Sequence, residues 1–429
     1  MYIYLKTLGC RLNEAELETW AQAFQKAGHS ITREVNQAHV VIINSCAVTA
    51  DAARKSRQLI RRTHRDNPTA KLVVSGCYAT LNADEAAQLM GVDLVVSNKD
   101  KDQLVEQTLA ALNLETMPAM STEPGETSLF SRGRQRAFIK VQDGCRYRCT
   151  FCIVTVARGD ENSRPVQDVI DEINNLHEQG INEFILTGVH LGGYGSDIDS
   201  NLTDLIKTIL DKTSIPRLRM GSLEPWELPA DFFSLFANPR LMPHLHLPLQ
   251  SGSDTVLRRM ARRCKTAEFA EIVKQAREQI PHFNITTDII VGFPGETEEE
   301  WQDSYDFIKS TTFGHIHIFT YSSREGTKAA TLPDQLTNEI KKQRSKQLHE
   351  LAESMKQQFA DENLKQKFSV LWEGQKQDIE DDQQLVFGYT PNYLRVACKV
   401  PNTDNIENKI IDAELNSITE SHISCTLHQ

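Results

Sequence analysis

The ten residues Asp143-Gly144-Cys145-Arg146-Tyr147-Arg148-Cys149-Thr150-Phe151-Cys152 constrain this chain more than any other stretch. They set three cysteines in a C-x-x-x-C-x-x-C spacing directly after a short strand-like run at 137–141. Soft sulfur ligands suit iron, and three thiolates on one tight loop can hold three irons of a cubic iron–sulfur cluster. A fourth iron is then left without a protein ligand, and an open metal position is one where chemistry can happen. Simpler readings compete here. A zinc site wants a fourth Cys or His, which the loop itself lacks. A redox dithiol needs only C-x-x-C, and a buried cysteine can be a small hydrophobe, so neither accounts for three.

Upstream, apolar runs and amphipathic stretches alternate. The pattern predicts strands at 2–7, 40–44, 71–75 and 94–96, with helices over 14–27, 50–64, 83–90 and 100–111. Short apolar strands alternating with helices argue for a parallel α/β sheet. Cys10, Cys46 and Cys77 each follow one of the first three strands. In an open α/β sheet the carboxyl edge of the strands is where ligands bind, so three thiols distant in sequence would converge there. That is a metal-site geometry, and a second cluster with three ligands is its sharper reading; three unrelated buried thiols are the plainer one. Residues 113–131 mix Pro, Gly, Ser, Thr and Glu without periodicity, which is linker composition.

Strand-helix units then repeat: strands at 137–141, 183–187, 217–222, 244–249, 284–291 and 315–321, with helices over 165–179, 202–210, 231–236, 267–279 and 297–309 between them. About six repeats predict an incomplete (β/α) barrel, by analogy with the eight-fold form, whose chemistry sits in loops at the carboxyl ends of strands. Those loops hold the glycine-rich Thr187-Gly188-Val189-His190-Leu191-Gly192-Gly193-Tyr194-Gly195, then Ser222-Leu223-Glu224-Pro225, then His244, His246 and Gln250, then Gly292-Phe293-Pro294-Gly295-Glu296-Thr297. Each alone reads as easily as a turn, a satisfied core histidine or a helix cap; Thr297 and Glu300 fit a capping box. Together with the cysteine loop they describe a ligand-binding mouth.

A length of 429 residues implies two or three domains. No apolar run is long enough to span a bilayer, and the first residues lead straight into a strand. No membrane association or secretory leader is therefore expected, and the cytoplasm is the default. Nine cysteines in that compartment argue for metal or redox chemistry over disulfides. The net charge of −11 speaks against a surface coated in positive charge. Yet Arg132, Arg134, Arg136 and Lys140, then Arg146 and Arg148, then Arg258, Arg259, Arg262, Arg263 and Lys265 gather beside the predicted loops. Such clusters are either a local RNA contact or a solvated face.

The Cys145/Cys149/Cys152 spacing with Phe151 before the last cysteine resembles the radical S-adenosylmethionine (radical SAM) motif. With Ala157-Arg158-Gly159, Ser163-Arg164, and the surroundings of Thr7-Leu8-Gly9-Cys10, Asn44-Ser45-Cys46 and Gly76-Cys77-Tyr78, nearly the whole chain resembles the radical SAM methylthiotransferases. Thr187-Gly188-Val189-His190 and Cys10 with Asn13 and Glu16 look most like the branch acting on threonylcarbamoyladenosine in tRNA. The resemblance implies two [4Fe-4S] clusters, one on Cys145, Cys149 and Cys152 that binds SAM, and an auxiliary one on Cys10, Cys46 and Cys77. It implies methylthio transfer to carbon 2 of that nucleoside, next to the anticodon. SAM at the open iron would be cleaved reductively to activate a C–H bond of the adenine, and the auxiliary site would supply sulfur methylated by a second SAM. A small electron donor such as flavodoxin or ferredoxin is implied, and a monomer is expected. One departure is Thr155, where the family usually carries proline.

Residues 334–365 form a charged helical stretch, and beyond it 368–372, 385–389 and 394–399 alternate like short strands, predicting a small all-β barrel over 366–429. In the family that position is held by an RNA-binding barrel, so Phe387, Tyr389 and Tyr393 could stack on bases, or serve as core. The expected domains are 1–112, a linker at 113–131, a partial barrel at 132–333, a connecting helix at 334–365, and the β module at 366–429. Cys264, Cys398 and Cys425 fit no ligand pattern. Rival functions are methylthiolation of isopentenyladenosine tRNA or of a ribosomal-protein aspartate and, from another class, a non-catalytic iron–sulfur RNA sensor.

Overall fold

The structure is a computed structural model that describes residues 1–112, 135–379 and 382–428. The expected linker at 113–131, with Arg132 and Arg134, lies outside the described residues. The first region is a five-stranded parallel sheet of β1 (Tyr2–Thr7), β2 (Ser30–Thr32), β3 (Val40–Ser45), β4 (Lys71–Gly76) and β5 (Val92–Val95), in the order β2-β1-β3-β4-β5. β3 is buried along its whole length, as its run Val-Val-Ile-Ile requires at the centre of a sheet covered on both faces. The strand order reverses between β1 and β3, and the carboxyl ends there form the crevice of a doubly wound fold.

The second region supplies six parallel strands: β6 (Arg136–Lys140), β9 (Glu183–Thr187), β10 (Arg217–Met220), β11 (His244–His246), β12 (Asn284–Val291) and β13 (His315–Thr320). They pair as β6-β9-β10 and β11-β12-β13, and isolated bridges Leu218–Leu241 and Ser222–His246 join the two sets into one curved wall. A two-stranded antiparallel ribbon, β7 (Gln142–Asp143) and β8 (Asn162–Ser163), leaves this wall and closes the base of the cysteine loop. The partial barrel has two open edges, and each is covered: the helix Arg11–Lys26 of the first region packs on β6, and the long helix Asn338–Glu362 packs on β13. The core behind the wall is a continuous aliphatic and aromatic cluster that runs from Ala137 through Phe184, Leu205 and Ile285 to Met355.

The last region is a closed five-stranded barrel of β14 (Lys367–Ile379), β15 (Gln383–Tyr389), β16 (Arg395–Pro401), β17 (Ile410–Ile418) and β18 (Ile423–Leu427), ordered β14-β15-β16-β18-β17. Its turn at 390–394 is fixed to the floor of the partial barrel. Arg219 donates to the Pro391 and Thr390 carbonyl oxygens at 2.7 and 2.9 Å, Arg217 donates to the Tyr389 carbonyl at 3.1 Å, and Asn284 donates to the Asn392 carbonyl at 2.8 Å. Glu183, fully buried, meets Arg219 at 2.9 Å and Arg136 at 2.6 Å. Burial pushes the Glu183 carboxyl up, but Arg219, Arg136 and Arg217 outweigh it and hold it at about 2. Among the described residues no helix is long and apolar enough to cross a membrane.

Candidate active site

All six predicted ligand cysteines line one cavity of about 810 Å³. Its walls come from the carboxyl ends of β1, β3 and β4, from the cysteine loop, from the partial barrel and from the turn of the C-terminal barrel. Cys10 caps the helix Arg11–Lys26, Cys46 follows β3, and Cys77 opens the short helix Cys77–Leu81. Gly76 makes the last of these turns possible. Its φ is +94°, and a Cβ there would stand 2.3 Å from the Ser45 carbonyl oxygen. Cys77 lies near enough to raise the energy of a negative charge on Cys10 and on Cys46, and Cys149 does the same to Cys145 and Cys152.

Spacing separates a cluster from a single ion. Among the described residues the one group of three ligand side chains with all ligand atoms within 4.8 Å of one another is His246, Asp288 and His317. Neither cysteine trio is drawn in that tightly. A tetrahedral zinc would need thiolates at about 2.3 Å from one centre, whereas a cubane with iron at several corners needs its thiolates further apart. The trios therefore fit a cluster better than an ion.

The cysteine loop is held from all sides. Gly144 adopts φ +72°, and a Cβ on it would come within 1.8 Å of the Asp160 carbonyl oxygen. Tyr147 is bonded to Glu227 through its hydroxyl, Arg146 meets Glu227 at 3.2 Å, and His190 meets Glu161 at 2.5 Å. His190, expected at the ligand mouth, is instead a buttress under the loop. Burial lowers its pKa, but the two glutamates raise it above the usual imidazole range. Thr155 donates its hydroxyl to the Tyr147 carbonyl at 2.9 Å, and the amides of Val154 and Thr155 both reach the Cys152 sulfur.

Two buried arginines stand against the thiols. Arg262 lies 3.9 Å from Cys149 Sγ, over the Trp226 ring at 4.4 Å, and pairs with Glu224 at 2.7 Å. Arg158 donates to Glu16 at 2.9 Å, to Asp143 at 3.1 Å and to Asn13 at 2.8 Å. Lys101 reaches Glu16 at 2.6 Å and also bonds Asp143, and Lys140 reaches Asp143 at 3.2 Å. This buried network ties the first sheet to the cysteine loop. Burial alone would raise the Glu16 carboxyl, but Arg158 and Lys101 hold it at about 2, and Asp143 is lowered in the same way. Burial raises the free thiols, Cys145 to about 12 and Cys152 to about 11. Arg158 opposes that rise at Cys10 and Arg262 opposes it at Cys149, as a site meant to hold thiolates requires.

The opposite wall is rich in rings. His244 and His246 both bond the Thr286 hydroxyl, at 3.2 and 2.9 Å, and His246 meets Asp288 at 3.2 Å. His244 is held neutral by burial and by Arg219, and burial lowers His315 to about 4. Tyr393 packs on His244 and Tyr389, with centroids 5.0 and 5.2 Å away. Tyr389 and Tyr393 thus face this cavity rather than an outer RNA surface, and Phe387 is buried in its barrel. Glu296 is no ligand contact: it pairs with Arg344 at 2.7 Å and anchors the long helix. The expected basic patch is partly an interior feature, because Arg136, Lys140, Arg259 and Arg262 are committed to Glu183, Asp143, Glu300 and Glu224. Arg148, Arg258, Arg263 and Lys265 remain exposed. Cys264, Cys398 and Cys425 are buried in apolar clusters.

A partial barrel with three cysteines on its first loop defines a radical SAM enzyme, and the comparisons agree. Residues 139–308 match the radical SAM superfamily, and residues 2–97 match a family described as Uncharacterized protein family UPF0004. A radical SAM methyltransferase, TsrM of Kitasatospora setae, superposes with a TM-score of 0.56 at 15% identity over 77% of each chain, which shows a shared fold. Threonylcarbamoyladenosine tRNA methylthiotransferase MtaB of Bacillus subtilis is 35% identical over 95% of this chain and 92% of its own. Its counterpart in Thermotoga maritima is 37% identical over 82% of each. A tRNA-2-methylthio-N(6)-dimethylallyladenosine synthase of Staphylococcus epidermidis is 30% identical over 99% of this chain and 84% of its own. The chain belongs to the radical SAM methylthiotransferases that act on tRNA, most like the threonylcarbamoyladenosine branch. The family uses S-adenosylmethionine and two [4Fe-4S] clusters.

Proposed function

We propose that this enzyme installs a methylthio group on carbon 2 of threonylcarbamoyladenosine beside the anticodon of tRNA. The observation that carries this reading is the opening of both cysteine trios onto one cavity, within which a base can be held between them. Cys145, Cys149 and Cys152 would hold the SAM-binding cluster, and Cys10, Cys46 and Cys77 the auxiliary one. When bound, these groups and S-adenosylmethionine supply the reductive cleavage, the C–H activation and the methylated sulfur.

The protein's own residues do the positioning. The Glu227, Glu161 and His190 buttress keeps the cysteine loop in one conformation. Arg158 and Arg262 place positive charge beside the sulfurs, which favours thiolate over thiol. Tyr389, Tyr393 and His244 offer ring faces on which the target base can stack. The same proposal includes the division into 1–112, 132–333 and 366–429, joined by 113–131 and the helical stretch 334–365. It also includes a monomeric chain in the cytoplasm and a one-electron donor of the flavodoxin or ferredoxin type.

The experiment is anaerobic reconstitution of the wild-type chain and of two triple variants, C10A/C46A/C77A and C145A/C149A/C152A. Each variant should lose about half of the bound iron. Wild type should convert threonylcarbamoyladenosine tRNA to its 2-methylthio form while releasing 5′-deoxyadenosine. Modification of dimethylallyladenosine tRNA alone would overturn the substrate.

A further inference from the structure

Six cations line the cavity, and four have carboxylate partners: Arg158, Arg219, Arg262 and Lys356 pair with Glu16, Glu183, Glu224 and Glu353. The other two, Arg11 and Arg395, have no carboxylate partner among the described residues. Arg395 rests on Phe387 at 4.7 Å and donates to Gln375 at 3.1 Å, wholly within the C-terminal barrel. Arg11 is different, because all three regions of the chain position it. It follows Cys10, its guanidinium lies 5.1 Å from the centre of the Phe138 ring on β6, and it donates to the Tyr393 hydroxyl at 3.2 Å. Aromatic faces hold a cation without neutralising it. Helix stability does not account for the residue either, since a positive charge in a first turn is opposed by the helix dipole.

We propose that Arg11 is a specificity-determining residue that reads the carboxylate of the threonylcarbamoyl group. This rests on the substrate reading given above. The threonylcarbamoyl group differs from a prenyl group in ending in a carboxylate. Its ureido N–H can close a six-membered hydrogen-bonded ring onto N1 of the adenine, which lays the threonine along the edge of the base that carries C2. C2 is the atom that receives sulfur, so the carboxylate comes to the side of the auxiliary cysteines, where Arg11 adjoins Cys10. A guanidinium fork matches a carboxylate in two parallel hydrogen bonds. An apolar substituent would instead strip water from Arg11 and leave it unpaired, which rejects the wrong nucleoside. The carboxylate on the same wall, Asp288, is engaged by His246 at 3.2 Å and so does not occupy Arg11.

The test uses the reconstituted holoenzyme and anticodon stem-loops carrying either the threonylcarbamoyl group or its carboxamide, which has the same shape and no charge. Arg11 is exposed in the free enzyme, so wild type should favour the acid over the amide in kcat/KM by about tenfold, the scale of a hydrogen bond to a charged group. Arg11→Gln should bring that ratio close to one, and Arg11→Lys should restore part of it. Arg395→Gln should leave the ratio as in wild type. An Arg11→Gln enzyme that loses both substrates equally, with the ratio intact, would assign the residue a merely structural part and overturn the proposal. Collapse of the ratio in Arg395→Gln but not in Arg11→Gln would overturn it in favour of Arg395. Wild type that modifies the threonylcarbamoyl stem-loop with a ratio near one sinks this proposal alone. Wild type that modifies only a dimethylallyl stem-loop sinks the substrate reading and this proposal together.

Discussion

Arg158 is buried with Glu16, Asp143, Lys101 and Lys140, and its positive charge bears on the Cys10 and Cys77 thiols as well as on the two carboxylates. Removing one partner of such a buried pair leaves the others uncompensated. Arg158→Met should therefore cost about 3–5 kcal/mol in urea denaturation of the apoprotein and weaken iron retention at the first-sheet cysteines. Lys at this position should recover little, because it cannot reach Glu16, Asp143 and Asn13 together. Thr155 makes a smaller and separable prediction. Thr155→Val removes the hydroxyl bond to the Tyr147 carbonyl and should cost about 1 kcal/mol. Thr155→Pro also removes an amide aimed at the Cys152 sulfur. Hydrogen bonds to cluster sulfurs help set reduction potential, so the midpoint in an EPR-monitored titration should move to more negative values. An unchanged midpoint would mean that the amide has no influence on the cluster.

At the scale of elements, the seams that join the partial barrel to the first sheet and to the C-terminal barrel depend on ionised carboxylates. Glu16 and Glu183 are held at about 2, against 4.5 for a free glutamate. A lowered folded-state pKa contributes stability that is present above the unfolded value and lost as pH falls towards the folded one. Thermal stability should thus be level from neutrality to about pH 5 and drop between about 4.5 and 2; a flat profile in differential scanning fluorimetry would refute this. Much of the element plan was legible beforehand. The strands Tyr2–Thr7, Glu183–Thr187 and Asn284–Val291 lie where apolar runs placed them, and the cysteines fall at strand ends. The strand Ser30–Thr32 was missed because three residues are too few to show alternation. Ile410–Ile418 and Ile423–Leu427 were missed because they lie among Asn, Asp, Glu, Ser and Thr, where an edge of a small barrel looks like a loop. The partners of the arginines were not legible at all. A run such as Arg258 to Lys265 announces positive charge but not that Arg259 and Arg262 face inward to Glu300 and Glu224.

For the whole molecule, the C-terminal barrel is a wall of the active site, lining it with Tyr389, Tyr393, Leu394 and Arg395. Glu183→Gln would leave Arg136, Arg217 and Arg219 short of their shared carboxylate, and the turn that Arg219 and Arg217 hold should loosen. Hydrogen exchange at 390–394 should rise by at least about tenfold, which corresponds to about 1.4 kcal/mol of lost local stability, with the first sheet unaffected. Equal exchange in both proteins would show that the turn stays put without the ion pairs. Neither Tyr389 nor Tyr393 could be assigned to the cavity from sequence, since only the closed barrel carries them back to the mouth that the cysteines define.

That arrangement also sets a schedule for biosynthesis. Cys10 leaves the ribosome long before Tyr393, which bonds Arg11 beside it, has been made. Until β15 and β16 have been synthesised and have closed against the barrel floor, one side of the chamber is missing. Metal delivered to the nascent chain would meet air and bulk water from that side. A maturation machinery that loads iron only after release of the finished polypeptide would avoid the damage, so translation and metallation are expected to be successive events for this enzyme.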